Sequence, residues 1–132
     1  MSLVILLGGC SQQAAQIAVT APTQDPTVVA VASIQNYLAG EHAAIWAYGR
    51  AAALLPEADL RLALQDLERH KRERDQLAKL LRAAGVLPVG ALVAYDEGTP
   101  LTTATEARTF LAGVESRLSV LALSVKSIPS KP

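Results

Sequence analysis

Two carboxylates and one imidazole are the side chains of this sequence best placed to do chemistry. Glu41, His70 and Glu115 each lie on an apolar stripe whose members recur at spacings of three and four. Charged groups on such stripes are expected inside the protein, where they must be paired or must coordinate a metal ion. Iron, manganese and zinc all accept carboxylate and imidazole ligands. A buried transition-metal site is therefore one hypothesis for these three residues.

The position of Pro56 between two helical stretches predicts that the three side chains meet. Glu41 lies 15 residues before Pro56, and His70 lies 14 residues after it. In antiparallel helices joined at that proline the two positions are level. A returning connection then sets the third helix parallel to the second, which brings Glu115 to the same layer.

A structural polar layer is the interpretation that the residues favour over a metal site. Ferritin-like carboxylate sites use Glu-x-x-His, whereas Leu67 stands three residues before His70. Arg74, one turn beyond His70, carries a fixed positive charge that opposes cation binding. We therefore expect His70 and Arg74 to pair with Glu41, and also with Glu115. This interpretation needs no cofactor, whereas the metal hypothesis implies iron, manganese or zinc.

His42 is expected to face away from this layer. It follows Glu41 in sequence, and successive helical residues point about 100° apart. It should border Trp46 and Leu38 on a second face, which would meet a partner helix or solvent. Tyr48 and Trp46 are expected to be core aromatics and not cofactor contacts.

Three helices and one long connection account for most of the chain. Asp25 as N-cap and Pro26 at the first helical position begin a helix that should run to Leu55. A second helix is expected over 56–84 and a third over 103–126, which begins with a Thr-x-x-Glu capping box. Gly85 ends the second helix, and the 17 residues 86–102 contain two prolines and two glycines and could span about 56 Å, longer than the second helix at about 42 Å.

The fold class that follows is all-α, a ferritin-like antiparallel bundle over residues 26–128 with a crossover between helices two and three. The fourth helix of such a bundle is missing from the sequence. Either the chain stops early, or a second copy covers the open face, which predicts a homodimer.

The first 25 residues resemble an export signal followed by a tether. Leu7-Gly8-Gly9-Cys10 has the spacing of a bacterial lipobox, so residues 1–10 are interpreted as a signal remnant and Cys10 as the lipid attachment site. Residues 11–25 are interpreted as a flexible linker. The preceding apolar run is short and no Lys or Arg precedes it, so an ordinary free thiol is the alternative. An exported, lipid-anchored protein of the cell envelope is the expectation.

The charge balance argues against nucleic acid as a partner. Twelve basic residues offset twelve acidic ones, which leaves no strong positive field for a phosphate backbone. The single Cys excludes an intramolecular disulfide.

The segment Glu41–Gly49 resembles the DUF4439 family, an uncharacterised bacterial domain classed as ferritin-like. The segment His70–Asp75 matches that family's His-x-x-x-Arg-Asp pattern, and Glu115 stands where a glutamate recurs on helix three. The resemblance covers about residues 31–123 and implies supporting roles for a set of nearby side chains: His42, Tyr48, Arg74 and Asp75. Members often carry lipoprotein signals and usually continue into another helix. The family has no established activity.

The function expected from all this is a non-catalytic structural or protein-interaction module, and an enzyme is not the favoured interpretation. The alternative is a metal-binding ferritin relative with an oxidoreductase or storage role. A third hypothesis is an adaptor whose exposed apolar groove binds a helix of another protein.

Overall fold

The computed structural model describes residues 25–126, which form three helices and no strand. Helix α1 spans Pro26–Ala52, α2 spans Glu57–Ala83 and α3 spans Ala104–Lys126. The connection between α2 and α3, here called the crossover, is irregular throughout. The all-α class is confirmed. The interpreted signal remnant, with Cys10, and all but the last residue of the linker lie outside the described residues.

Helix α1 ends three residues earlier than the sequence predicted. Leu54 and Leu55 donate their N–H groups to carbonyls only three residues back, at 2.9 and 3.3 Å, in a turn that leads to Pro56. A residue that precedes proline is sterically driven out of the α conformation, so the helix stops before the proline is reached.

The predicted ends of the other helices are formed as the residue types require. Thr103 Oγ1 accepts from Glu106 N at 3.2 Å, while the Glu106 carboxylate accepts from Thr103 N at 2.9 Å, which confirms the capping box. At the end of α2, Gly85 adopts a positive φ of 73°, and Val86 N–H then reaches Leu81 C=O at 2.9 Å.

Helix α1 is the central element of the fold. It packs against both α2 and α3, whereas no Cα of α2 lies within 8 Å of a Cα of α3. Arg108 pairs with Asp59, and Glu115 pairs with His70, so the contacts advance in the same direction along both outer helices. Helix α3 is therefore parallel to α2, as the long crossover predicted, and both are antiparallel to α1.

The core divides into two apolar clusters with a polar layer between them. One cluster joins α1, α2 and α3 and consists largely of alanine with some larger side chains: Ala44, Ala47, Tyr48, Ala51, Ala63, Ala107, Leu111, Val114 and Leu118. The other joins α1 and α2: Leu38, Leu77, Ala78 and Leu81. Glu41 and His70 are buried between these clusters.

The apolar stripe of α2 differs from the sequence pattern at one position. The spacing of Leu60, Leu64 and Leu67 predicts that Leu64 faces inward, but it is 46 % exposed, whereas Ala63 is buried. The small side chain of Ala63 is what lies against the other helices, and it permits a closer approach than a leucine would. Leu64 points about 100° further round and faces solvent.

The crossover covers the face of α1 that the sequence had assigned to a partner helix or to solvent. His42 Nε2 lies 3.1 Å from Val89 C=O, and the Trp46 ring lies 5.7 Å from the Tyr95 ring. Further along α1, Arg50 forms a salt bridge of 3.2 Å with Glu97. The prediction for the surroundings of His42 is thus corrected. The reason is that an irregular segment has no periodic pattern from which its docking face could be read.

None of the three described helices combines the length and apolarity that a bilayer span requires.

The packing of Gly40 against leucine side chains of α3 predicts how alanine at this position would change the stability of the protein. A Cβ built at Gly40 would lie 2.7 Å from Leu121 Cδ1 and 2.9 Å from Leu118 Cδ2, whereas a Cβ at Gly49 meets nothing within 4 Å. Gly49→Ala should raise the free energy of unfolding by about 0.5–1 kcal/mol through helix propensity. Gly40→Ala gains the same propensity but must displace two packed methyl groups, so it should fall below Gly49→Ala by about 1–3 kcal/mol.

Urea unfolding of the two variants and the parent protein measures this difference. Equal stability of the two alanine variants would show that α1 and α3 do not meet at Gly40.

Candidate functional site

His70 is the centre of a hydrogen-bonded chain that links the three helices. Its Nδ1 lies 2.7 Å from Glu41 Oε2 on α1, and its Nε2 lies 2.8 Å from Glu115 Oε1 on α3. The structure thus brings together the three residues that the register placed at one level. The imidazole is fully buried, and so is nearly all of the Glu41 side chain. We call the connected side chains the polar chain: Glu41, His70, Glu115 and Tyr48.

The polar chain reaches solvent at its Glu115 end. The side chain of Glu115 is 37 % exposed, and its Oε1 also accepts from the Tyr48 hydroxyl at 2.7 Å. Arg69 Nη2 approaches the same oxygen at 3.3 Å and bonds Asp66 at 3.2 Å. Arg69 therefore closes the outer end of the polar chain with a positive charge.

Both ring nitrogens of His70 face a carboxylate, which favours the doubly protonated ring. A neutral imidazole can donate from one nitrogen only, whereas an imidazolium donates from both. Burial lowers the pKa of His70, but the hydrogen bonds and negative charges of Glu41 and Glu115 outweigh it, so the net pKa is raised above 6.5.

The pKa of Glu115 moves in the opposite direction. Burial raises this pKa, but hydrogen bonds from Tyr48 and His70, together with the positive charges of His70 and Arg69, lower it below 4.5 overall. The imidazolium of His70 and the guanidinium of Arg69 then lie against carboxylates, and Asp66 is also bonded to Arg69. Each charge of the layer thus has a partner of opposite sign, as a buried group of charges requires.

Two tyrosines lie at the carboxylates of this layer, Tyr48 as a member of the polar chain and Tyr37 near Glu41. Burial, followed by the hydrogen bond to Glu115, raises the pKa of Tyr48 above its usual value, and the Tyr48 ring lies 5.0 Å from that of His70. Burial and the charge of Glu41 likewise raise the pKa of Tyr37. Both phenols keep their protons at neutral pH, so Tyr48 can donate to Glu115.

Arg74 does not join the polar chain, so the prediction that it pairs with Glu41 is wrong. Its guanidinium bonds the adjacent Asp75 at 2.9 Å. Both residues border a cavity beneath the crossover, together with His42. An arginine is long enough to leave the side of the helix on which its Cα lies, and Arg74 turns toward the nearer carboxylate.

Arg69 is the member of the site that the sequence reasoning did not select. It lies off the apolar stripe of α2, so the stripe alone assigns it to solvent. The signal that could have identified it is register, because residue 69 is level with Glu115 when α2 and α3 are parallel.

The arrangement does not suit a shared metal ion. The two carboxylates approach different ring nitrogens of His70, on opposite edges of the imidazole, so the three groups do not converge on one point. Arg69 adds a positive charge at the only exposed end. Across residues 25–126, no three His, Cys, Asp or Glu side chains are grouped as ligands for a metal ion.

Comparisons with known proteins identify a family and a fold without an activity. The family model described as a domain of unknown function, DUF4439, matches residues 33–126. The crystal structure of a conserved hypothetical protein, rv2844, from Mycobacterium tuberculosis is similar, with a TM-score of 0.77 and 25 % sequence identity. The alignment covers 81 % of this chain and 75 % of that one. No curated protein sequence matches.

The raised pKa of His70 and the lowered pKa of Glu115 predict how stability depends on pH. A raised pKa in the folded state stabilises the protein below about pH 6.5, and that contribution is lost as pH rises through the raised value. A lowered pKa stabilises it above about pH 4.5, and that contribution is lost as pH falls through the lowered value. The free energy of unfolding should therefore be greatest between these values and decline on both sides.

Urea unfolding between pH 3 and pH 9 tests this, with the two histidines as a matched pair. His70→Gln should abolish the decline above about pH 6.5, whereas His42→Gln should retain it. A wild-type protein that gains stability as pH rises from 6.5 to 9 would contradict the charged imidazole.

Proposed function

The chain belongs to the DUF4439 family, and we propose that it is a non-catalytic helical module in which the polar chain fixes the packing of three helices. A single observation carries this proposal: both nitrogens of the buried His70 are already bonded to carboxylates on two other helices. A group whose hydrogen-bonding capacity is used within the protein holds the helices in register.

The hydrogen bonding of the polar chain supports a non-catalytic role. A general base must have a free face within hydrogen-bonding reach of a substrate proton. His70 is fully buried and has no unpaired nitrogen. Glu115 is the exposed member, and its Oε1 already accepts from Tyr48, His70 and Arg69. These bonds lower the pKa of Glu115, which makes it a weaker base and not a stronger one.

A metal-binding ferritin relative is the second candidate, and one observation favours it. Glu41, His70 and Glu115 come from three helices and lie in a single layer, as the ligands of ferritin-like carboxylate sites do. Binding an ion there would require the loss of both imidazole hydrogen bonds and of a proton, beside the guanidinium of Arg69. We therefore place this candidate second.

The surface available for an interaction lies between α2 and α3. These helices are bridged by side chains only, and Leu62 of α2 and Leu123 of α3 are both exposed. A depression of about 210 Å³ there is lined by apolar and paired charged residues, including Leu62, Asp59 and Arg108. A helix of another protein or of a second copy would fit such a mixed surface, because apolar anchors there are flanked by ion pairs.

Elemental analysis of the tag-free protein separates the two candidates. We expect iron, manganese and zinc each well below one equivalent per chain, and no change in Glu41→Gln. Stoichiometric metal in the wild-type protein that disappears in Glu41→Gln would overturn the structural role in favour of the metal site.

Stability measurements on the same set of proteins add an independent readout. His70→Leu leaves Glu41 buried without its partner and should lower the free energy of unfolding by about 3–5 kcal/mol. The double variant Glu41→Met/His70→Leu removes both charges and should recover most of that loss, because buried ion pairs can be replaced by apolar residues at little cost. A double variant as unstable as His70→Leu would contradict pairwise compensation.

We also propose that a lipid on Cys10 anchors the protein to a membrane of the cell envelope. The support is the Leu-Gly-Gly-Cys sequence at residues 7–10 and the family resemblance. When the full chain is expressed in a bacterium with labelled palmitate, the protein should incorporate the label, and Cys10→Ala should not. Label retained in Cys10→Ala, or absent from the wild-type protein, would exclude this anchor.

A further inference from the structure

The outward side of the crossover is an uncharged apolar surface. Residues 85–95 contain no Asp, Glu, Lys, Arg or His. Within that stretch Leu87, Leu92 and Val93 are 87 %, 65 % and 103 % exposed. Isolated exposed apolar residues are common, but these three lie within one short segment that carries no charge, and concentrated exposed apolar surface is typical of a binding site.

The backbone behind this patch is held in place by α1. The Gln35 amide donates to Leu87 C=O at 2.7 Å and accepts from Val89 N–H at 2.8 Å, and His42 contacts Val89 C=O. The Tyr95 hydroxyl accepts from Leu92 N–H at 3.0 Å. The apolar side chains therefore face outward from an ordered segment, so docking them requires little further ordering of the chain.

A basic stripe of α2 lies beside the patch. Its members are spaced by three, four and three residues and so share one side of the helix: Arg72, Asp75, Lys79 and Arg82. Asp75 and Arg82 border a cavity of about 290 Å³ whose opposite wall is Pro88, Val89 and Gly90 of the crossover. The apolar patch and the basic stripe are thus adjacent surfaces.

Positive charge predominates where α2 meets the crossover. Residues 76–95 contain Lys79 and Arg82 and no acidic residue. Among residues 25–126, Arg72, Lys79 and Arg82 form no ion pair within 4 Å, whereas Asp75, the one acid of the stripe, is bonded to Arg74. Cations without a bonded acid therefore lie beside the apolar patch.

We infer that the apolar crossover segment and the basic stripe of α2 together dock on the surface of an anionic lipid bilayer. Leucine and valine side chains would enter the interfacial region, while unpaired guanidinium and ammonium groups would meet the lipid phosphates. Charge complementarity is what selects the bilayer, because an apolar patch edged by unpaired cations matches a negatively charged surface with an apolar interior. This inference is independent of the polar chain and of a lipid on Cys10.

Vesicle flotation of the full-length chain carrying Cys10→Ala tests the inference without a covalent lipid. Phosphatidylcholine vesicles with and without phosphatidylglycerol are the probes. The protein should float with the anionic vesicles, less so at high salt, and not with the neutral ones. In the same background, Leu87→Ser/Leu92→Ser/Val93→Ser should reduce the partition coefficient on the order of tenfold or more.

A matched triple variant controls for loss of apolar surface elsewhere. Leu62→Ser/Val120→Ser/Leu123→Ser removes the same number of exposed apolar side chains from α2 and α3, which are 60 %, 63 % and 65 % exposed, and it should leave flotation nearly unchanged. It also controls for the apolar N-terminal run, which all variants share. Circular dichroism melting verifies that each variant is folded, as expected for substitutions at exposed positions.

A charge-matched pair tests the basic stripe. Arg72→Gln/Arg82→Gln should weaken binding to the anionic vesicles roughly fivefold per charge, whereas Arg117→Gln/Lys126→Gln on α3 should weaken it much less. Equal losses in both members of either pair, or equal flotation with neutral vesicles, would overturn the inference. So would self-association that only the crossover triple variant abolishes while no vesicle binding is detected, because the patch would then bind protein.

Discussion

A fully buried imidazole has to be satisfied at both nitrogens, and here a carboxylate from each of two other helices lies within 2.8 Å of one of them. His70 is therefore a three-way junction, with Glu41 on α1 and Glu115 on α3. A shift of either helix by one residue would leave a buried charge without its partner, at a cost of several kcal/mol. The alanine-rich cluster beside the junction penalises such a shift much less, because small side chains present shallow ridges. The polar layer consequently supplies the specificity of packing that the apolar core lacks.

The central position of α1 also depends on small side chains. Its alanines allow α2 and α3 to lie against it, and Gly40 leaves room for two leucine side chains of α3. Its remaining face carries Gln35 and His42, which bond the backbone of the crossover. None of the positions from 37 to 48 is exposed, so no single apolar stripe describes this part of the helix. A long irregular connection can be ordered on such a surface because polar side chains of the helix complete its backbone hydrogen bonds.

The sequence contained the architecture and the level of the polar layer, but not every partner within it. The proline at 56 fixed the register of α1 against α2, and the length of the crossover fixed the direction of α3. Those two facts sufficed to bring Glu41, His70 and Glu115 together. The choice between Arg69 and Arg74 could not be predicted, because each side chain is long enough to reach carboxylates on either side of its Cα. The docking of the crossover could not be predicted either, because an irregular segment has no periodic pattern that indicates which of its residues contact the helices.

Whether an acid, an imidazole and a second acid form a metal centre or a structural layer depends on where their lone pairs point. In a metal centre the ligand atoms converge on one position. In this protein the two nitrogens of His70 diverge toward different carboxylates. A half-turn of the ring about its Cβ–Cγ bond would set carbon atoms against both carboxylates, and the two nitrogens would still point in different directions. The hydrogen atom of each hydrogen bond thus occupies the position beside the nitrogen that a metal ion would need. The positive charge of the Arg69 guanidinium further opposes the binding of a cation there. The same three residue types can serve either role, and the orientation of one ring decides between them.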